Sequence, residues 1–166
     1  SKDIDEMEKM LNDYLQFAKT QSQEETVKID INKLLEKIEL NINNKNLTIK
    51  KVNQIFINGR PNSLRRCFEN VINNGLNYGE KVVINISFSS NLLILTFDDN
   101  GPGIPRDQFK NVFKPFFRLD KSRSLNKSGV GLGLSIVEDI VNSHGGSIQL
   151  NESKLGGLQV KISLPF

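Results

Sequence analysis

The sequence predicts an α+β fold: a two-layer α/β sandwich whose mixed, mostly antiparallel sheet is covered on one face by about three helices, preceded by one amphipathic helix. Three observations predict it. From residue 27 onward, segments with apolar residues at helical spacing alternate with short apolar runs bounded by turn residues. Before that point one stripe at steps of three and four, Ile4, Met7, Leu11, Leu15 and Ala18, marks a helix that cannot bury its own apolar face. The 166 residues suffice for one sizeable core, and no apolar run approaches the roughly 18 residues of a membrane span.

The first helix runs from Ser1 to about Gln21, and the polar segment Gln21–Glu25 reads as a linker, which puts a domain boundary at residues 22–26. Val27–Ile31 reads as a short strand, with Asp30 or Asn32 capping a helix that carries Leu34, Leu35, Ile38 and Ile42. Leu47–Val52 and Gln54–Asn58 are two short strands. Pro61 suits the first turn of a helix reaching about Tyr78, with Leu64, Phe68, Val71, Ile72 and Gly75 facing inward. Lys81–Phe88 and Leu92–Asp98 are adjacent strands joined at Ser89-Ser90-Asn91. A Gly/Pro-rich loop, Asn100–Pro105, and a mixed aromatic and basic stretch to about Lys127 come next. A helix opens at Gly129, places Leu132, Ile136, Val137, Ile140 and Val141 on one face, and stops at His144-Gly145-Gly146. Strands Ser147–Asn151 and Gln159–Leu164 flank a turn at Leu155-Gly156-Gly157.

Composition excludes several chemistries. One Cys forms no internal disulfide, and one Cys with one His builds no zinc site of the usual kind. No signal-peptide pattern opens the chain, and the cysteine usage fits a reducing compartment, the cytoplasm. The net charge, 22 − 19 = +3, is scattered and not interleaved with aromatics. A solvated mixed surface is expected, and no nucleic acid partner.

Four clusters carry chemistry. Asn70, Asn74 and Asn77 lie at i, i+4 and i+7 on the Pro61–Tyr78 helix, one polar stripe of a poor helix former. Their carbonyl oxygens suit a hard cation such as Mg²⁺; taken alone, a solvated face in an Asn-rich chain is the plainer reading. Asp98-Asp99-Asn100-Gly101-Pro102-Gly103-Ile104 ends a strand, where a carboxylate can accept from an exocyclic amine and glycines admit a ligand; a tight turn also accounts for it. Phe113-Lys114-Pro115-Phe116-Phe117-Arg118 reads as core packing or as the anchor of a lid. Ser128-Gly129-Val130-Gly131-Leu132-Gly133-Leu134 leads glycines into a helix, a ready anion site. It lacks the Gly-Lys-Ser/Thr ending of a Walker loop and the spacing of the dinucleotide fingerprint.

In their order and spacing these clusters resemble the N, G1, F and G2 boxes of sensor histidine kinases. The resemblance covers nearly the whole chain: residues 23–166 resemble the ATP-binding catalytic domain, and residues 1–22 the second helix of the dimerisation and phosphoacceptor hairpin. It implies ATP and Mg²⁺ as cofactors, Asn74 as the Mg²⁺ ligand and Asn70 beside it near the phosphates. Tyr78 would line the pocket, and Asp99 would accept from the adenine amine. Gly101 and Gly103 would shape the wall under the base, with Ile104 adding apolar surface. Gly129, Gly131, Leu132 and Gly133 would hold the end of the lid against the phosphates. The lid would span about Phe117 to Ser128, with Arg118, Lys121 and Arg123 as candidates to meet phosphate charge.

The family commonly has Lys or Arg where Asn77 stands, reaching for the γ-phosphate, and Ala where Gly75 stands. In gyrase-type relatives a Glu four residues before the metal-binding Asn activates water. Here that position is Asn70, an amide that cannot act as a general base, so the site suits holding ATP without hydrolysing it. The only histidine, His144, sits at a helix end without the Glu/Asp-x-x-x-Pro pattern that follows the family's phosphoacceptor. A structural role is expected for it, and the acceptor on the first hairpin helix of the parent kinase. The expected activity is transfer of the γ-phosphate to that histidine, for relay to a response-regulator aspartate. The intact protein is expected as a homodimer anchored in the bacterial inner membrane with this domain in the cytoplasm. The alternatives are a protein serine kinase of the anti-sigma-factor type and a non-catalytic nucleotide-binding or interaction module.

Overall fold

The computed structural model describes residues 2–115, 117 and 133–166. The described elements, in order, are α1 (Lys2–Gln23), β1 (Val27–Asp30), α2 (Ile31–Ile42), β2 (Leu47–Lys50), β3 (Phe56–Gly59), α3 (Pro61–Tyr78), β4 (Val82–Ser89), β5 (Leu92–Asp99), α4 (Gly133–Ser143), β6 (Ser147–Glu152) and β7 (Leu158–Pro165). Two short 3-10 turns, Arg106–Gln108 and Asn111–Phe113, lie between β5 and α4.

A five-stranded sheet runs in the order β2-β4-β5-β7-β6, parallel only between β2 and β4. Alternation along each strand sends Val82, Ile84 and Ile86, then Leu93, Leu95 and Phe97, then Val160, Ile162 and Leu164 to one buried face. Helices α2, α3 and α4 cover that face with Leu35 and Ile38, Leu64, Phe68 and Ile72, and Val137, Ile140 and Val141. The Phe68 and Phe97 rings meet at 6.0 Å across the layers. The two-layer sandwich and its three covering helices are as the apolar periodicity predicts.

The strand set differs in one respect. The first and third short strands do not join the main sheet; β1 and β3 pair antiparallel as a separate two-stranded ribbon, Val27 opposite Gly59. A four-residue strand with one inward residue specifies its partner weakly, so the sequence pattern cannot tell ribbon from sheet edge. The strand predicted at Val27–Ile31 stops at Asp30 because Asp30 caps α2, accepting from Lys33 N at 3.1 Å. Asn32, the other capping candidate, instead donates Nδ2 to Val52 O at 2.8 Å.

Helix α1 overruns its expected end by two residues, and the short segment after it is anchored. Glu24 Oε2 accepts from Asn62 N at 2.8 Å, and its Oε1 accepts from Ser63 N and Ser63 Oγ, both at 3.0 Å. The N-cap residue of α3, Arg60, supplies no side-chain cap, so a carboxylate from the linker satisfies the first turn and meets its dipole. Replacing Glu24 with Ala is expected to cost about 1 kcal/mol, read as a drop of about 2–4 °C in the thermal midpoint. Farther along α1, Tyr14 donates to Asp139 Oδ2 on α4 at 2.9 Å, which raises the Tyr14 pKa. Ile4, Met7, Leu11 and Leu15 stay 49–57% exposed along α1.

His144 closes the far end of α4. Its Nδ1–H donates to Ile140 O at 2.7 Å, and its Nε2 accepts from Arg60 N at 3.0 Å. Both ring nitrogens are therefore engaged in the neutral form. The Arg60 guanidinium donates in turn to Ser143 Oγ. Burial lowers the His144 pKa; the Ile140 carbonyl opposes this, Arg60 adds to it and Glu24 opposes it. With the folded pKa below the unfolded value of about 6.5, the unfolded chain binds the extra proton in the interval between them. The stability from neutral His144 is complete above that value and is lost as pH falls through the folded pKa. The thermal midpoint is expected to fall on acidification below pH of about 6.5, and to fall less steeply in His144→Asn; equal slopes would contradict the joint.

Candidate functional site

The end of β5 is where four parts of the chain meet. Asp99 is buried, and its Oδ1 accepts from Gly101 N at 2.9 Å and from Leu158 N at 3.1 Å. Its backbone oxygen accepts from Gly157 N at 3.1 Å. Oδ2 takes no hydrogen bond from a described residue and lies beside Gly75 of α3. Burial pushes the Asp99 carboxyl up, the two backbone donors pull it back, and the neighbouring Asp98 pushes it up again. The result is a fixed acceptor with one oxygen committed to the backbone and the other presented.

Glycine is required where these parts touch. A Cβ on Gly157 would stand 2.0 Å from Asp99 Oδ1, and one on Gly101 would stand 2.9 Å from Tyr78 O at the end of α3. Gly101 therefore lets the loop close onto α3. Gly103 has φ +73, the left-handed region that favours glycine. Asn100 Oδ1 accepts from Glu80 N and Lys81 N at 2.8 and 2.9 Å and ties the same loop to the start of β4.

One helical step from Gly75, Asn74 is half-buried, as is Asn70 a turn earlier, and neither amide bonds to a described residue. Gly133, the first residue of α4, abuts Asn74: a Cβ there would lie 3.4 Å from Asn74 Nδ2. The amide stripe of α3 and the N-terminal turn of α4 thus share one place. Asn77 is exposed, and Tyr78 is 44% exposed. Ile104 and Phe117 pack as half-buried groups against the core. Among the predicted site residues, Arg118, Lys121, Arg123, Gly129, Gly131 and Leu132 lie outside the described residues. A groove of about 710 Å³ between α4, β6 and the 3-10 turns, lined by Phe109, Phe113 and Ile148, shares none of the site residues.

The profile of the "Histidine kinase-, DNA gyrase B-, and HSP90-like ATPase" family matches residues 59–166, which include Asn70, Asn74, Asp99, Gly133 and Gly157. The chain belongs to this ATPase family. Within it, the chain is 34% identical over 166 residues to the sensor histidine kinase GtrS of Pseudomonas aeruginosa, covering 99% of this chain and 34% of GtrS. It is 37% identical over 109 residues to the sensor histidine kinase CpxA of Escherichia coli, covering 65% of this chain and 24% of CpxA. The ATP-binding domain of PrrB from Mycobacterium tuberculosis superimposes with a TM-score of 0.69 at 27% identity, covering 84% of this chain and 96% of that one. The chain is an ATP-binding domain of the sensor histidine kinase type, and it spans about a third or less of the curated relatives it matches.

Several residues that shape this end of β5 escape the sequence reading. Gly157 belongs to the β6–β7 connection, which the sequence marks only as a turn, and Leu158 opens β7 directly after it. The Gly156-Gly157 doublet was the available signal, since one glycine supplies the φ of +104 and the other the close approach. Ser153 Oγ donates to Asp98 Oδ1 at 2.7 Å and braces that turn, a contact between distant segments that no local pattern announces. Cys67 is fully buried on α3, and burial pushes its thiol up, so it is an inert core residue.

Proposed function

We propose that the chain binds ATP with Mg²⁺ and transfers the γ-phosphate to a protein histidine carried outside these residues, for relay to a response-regulator aspartate. The observation that supports this best is the placement around Gly75. On one side Asp99 Oδ2 presents a fixed acceptor; on the other, the Asn74 and Asn70 amides bond to no described residue, and Asn74 lies against Gly133 at the start of α4. The first suits the exocyclic amine of adenine, the second the phosphate end of the same molecule.

The donor set fits a hard cation. No group of three or more His, Cys, Asp or Glu stands together among the described residues, which disfavours an all-protein cage. Amide oxygens from Asn74 and Asn70, completed by phosphate oxygens and water, suit Mg²⁺. Bound there, Mg²⁺ would neutralise charge developing on the phosphates. The chain's own part is positioning. Asp99 orients the base, Ile104 and Leu158 border it with apolar surface, and the α4 backbone meets the phosphates. Asn70 supplies no general base, so water is not activated and the nucleotide waits for its acceptor.

His144 is not proposed as that acceptor, because both its ring nitrogens are engaged within the fold. Residues 1–22 are read as the second helix of the hairpin, with 23–166 as the catalytic domain. The Ile4–Leu15 stripe would then pair with the other hairpin helix and with a second copy. No described helix is long and apolar enough to cross a membrane; the parent protein is proposed as membrane-anchored with this domain on the cytoplasmic side.

Titration calorimetry tests the nucleotide reading. ADP is expected to bind with Mg²⁺ present, more weakly with chelator, and GDP at least about tenfold more weakly, since its base offers a carbonyl oxygen to Asp99. Absence of ADP binding at millimolar Mg²⁺ would leave a non-catalytic module as the better account.

A further inference from the structure

A glycine inside α3 is a puzzle that the ATP site does not by itself resolve. Glycine is the least favourable residue in a helix interior after proline, and Gly75 stands in the last third of an 18-residue helix. Its surroundings give a reason. A Cβ at Gly75 would lie 2.5 Å from Val82 Cγ2, 3.3 Å from Asp99 Cβ and 3.6 Å from Asp99 Oδ2. Val82 and Asp99 are cross-strand partners on β4 and β5, so α3 sits on that pair. Val82 is 1% exposed and β-branched, hence stiff at χ1 and without room to turn away. Neither side of the contact can yield.

We infer that Gly75 and Val82 are a matched pair that sets how closely α3 approaches the sheet, and thereby the spacing between Asp99 and Asn74. The inference rests on the nucleotide reading of those two residues. Gly75 is then a positioning residue, acting through its neighbours on either side. An added methyl lifts the helix from β4 and β5 and carries Asn74 away from the plane in which Asp99 holds the base. Removing the Val82 methyls restores the space by another route.

The test is a double-mutant cycle with two readouts, ADP affinity by calorimetry and the thermal midpoint. Gly75→Ala is expected to weaken ADP by about tenfold or more. Gly75→Ala/Val82→Ala is expected to return to within about threefold of the unmutated chain, while its midpoint stays below that chain's because buried methyls are gone. Recovery of affinity without recovery of stability separates positioning from packing. If Gly75→Ala does not fold, the comparison of the double variant with Val82→Ala alone decides: tighter or equal ADP binding by the double variant supports the pair, weaker binding overturns it. Equal ADP affinity in Gly75→Ala and the unmutated chain also overturns it. An unmutated chain that binds no ADP would instead sink the nucleotide reading.

Discussion

Asn74→Ala is expected to slow phosphoryl transfer to a supplied histidine by about 100- to 1000-fold while the domain becomes slightly more stable. The two effects have separate causes. The Asn74 amide bonds to no described residue, so its removal orphans nothing in the protein. Alanine is the better helix former at a half-buried position of α3, worth about 0.5 kcal/mol. On the proposed reading the variant would lack an oxygen ligand at the phosphate end, where charge must be neutralised as the phosphoryl group moves. Single-turnover transfer and a melting curve on the same preparation check both halves. A variant that transfers at the unmutated rate would remove Asn74 from the phosphate end.

Asp99→Asn is expected to weaken ADP by about 100-fold with the fold intact. The variant keeps an oxygen to accept from Gly101 N and Leu158 N. It replaces Oδ2, the presented oxygen, with an amide NH2 donor, which would face the amine of adenine on the proposed reading. Since burial already pushes the Asp99 carboxyl up, a neutral isostere relieves desolvation and stability is kept. Calorimetry with ADP, beside a melting curve, measures this. Binding at unmutated strength would mean that the base is read elsewhere.

Much of this arrangement is legible in the sequence because it is local. The α3 helix is written in Pro61 and the apolar stripe from Leu64 to Ile72, and its amides in Asn70 and Asn74, so helix and stripe appear together. The strand pair β4–β5 follows from alternation and the Ser89–Asn91 turn. What is not legible depends on contacts between distant segments. Nothing near Val27 says that it pairs with Gly59 away from the main sheet. Nothing near Glu24, read as linker, says that it caps a helix 38 residues on. Gly75 reads as a defect in a helix until Val82 fills the space that its Cβ would occupy. The turn at Gly157 likewise becomes part of the site only when Asp99 is brought against it.

On the proposed function the chain holds ATP for an acceptor histidine that it does not itself contain. Labelled Mg-ATP should be given to the chain alone and to the chain with the first hairpin helix of its parent protein. Acid-labile label is expected on the added helix and none on the 166-residue chain. Label on the chain alone, which would have to break the bonds that engage His144, would contradict it.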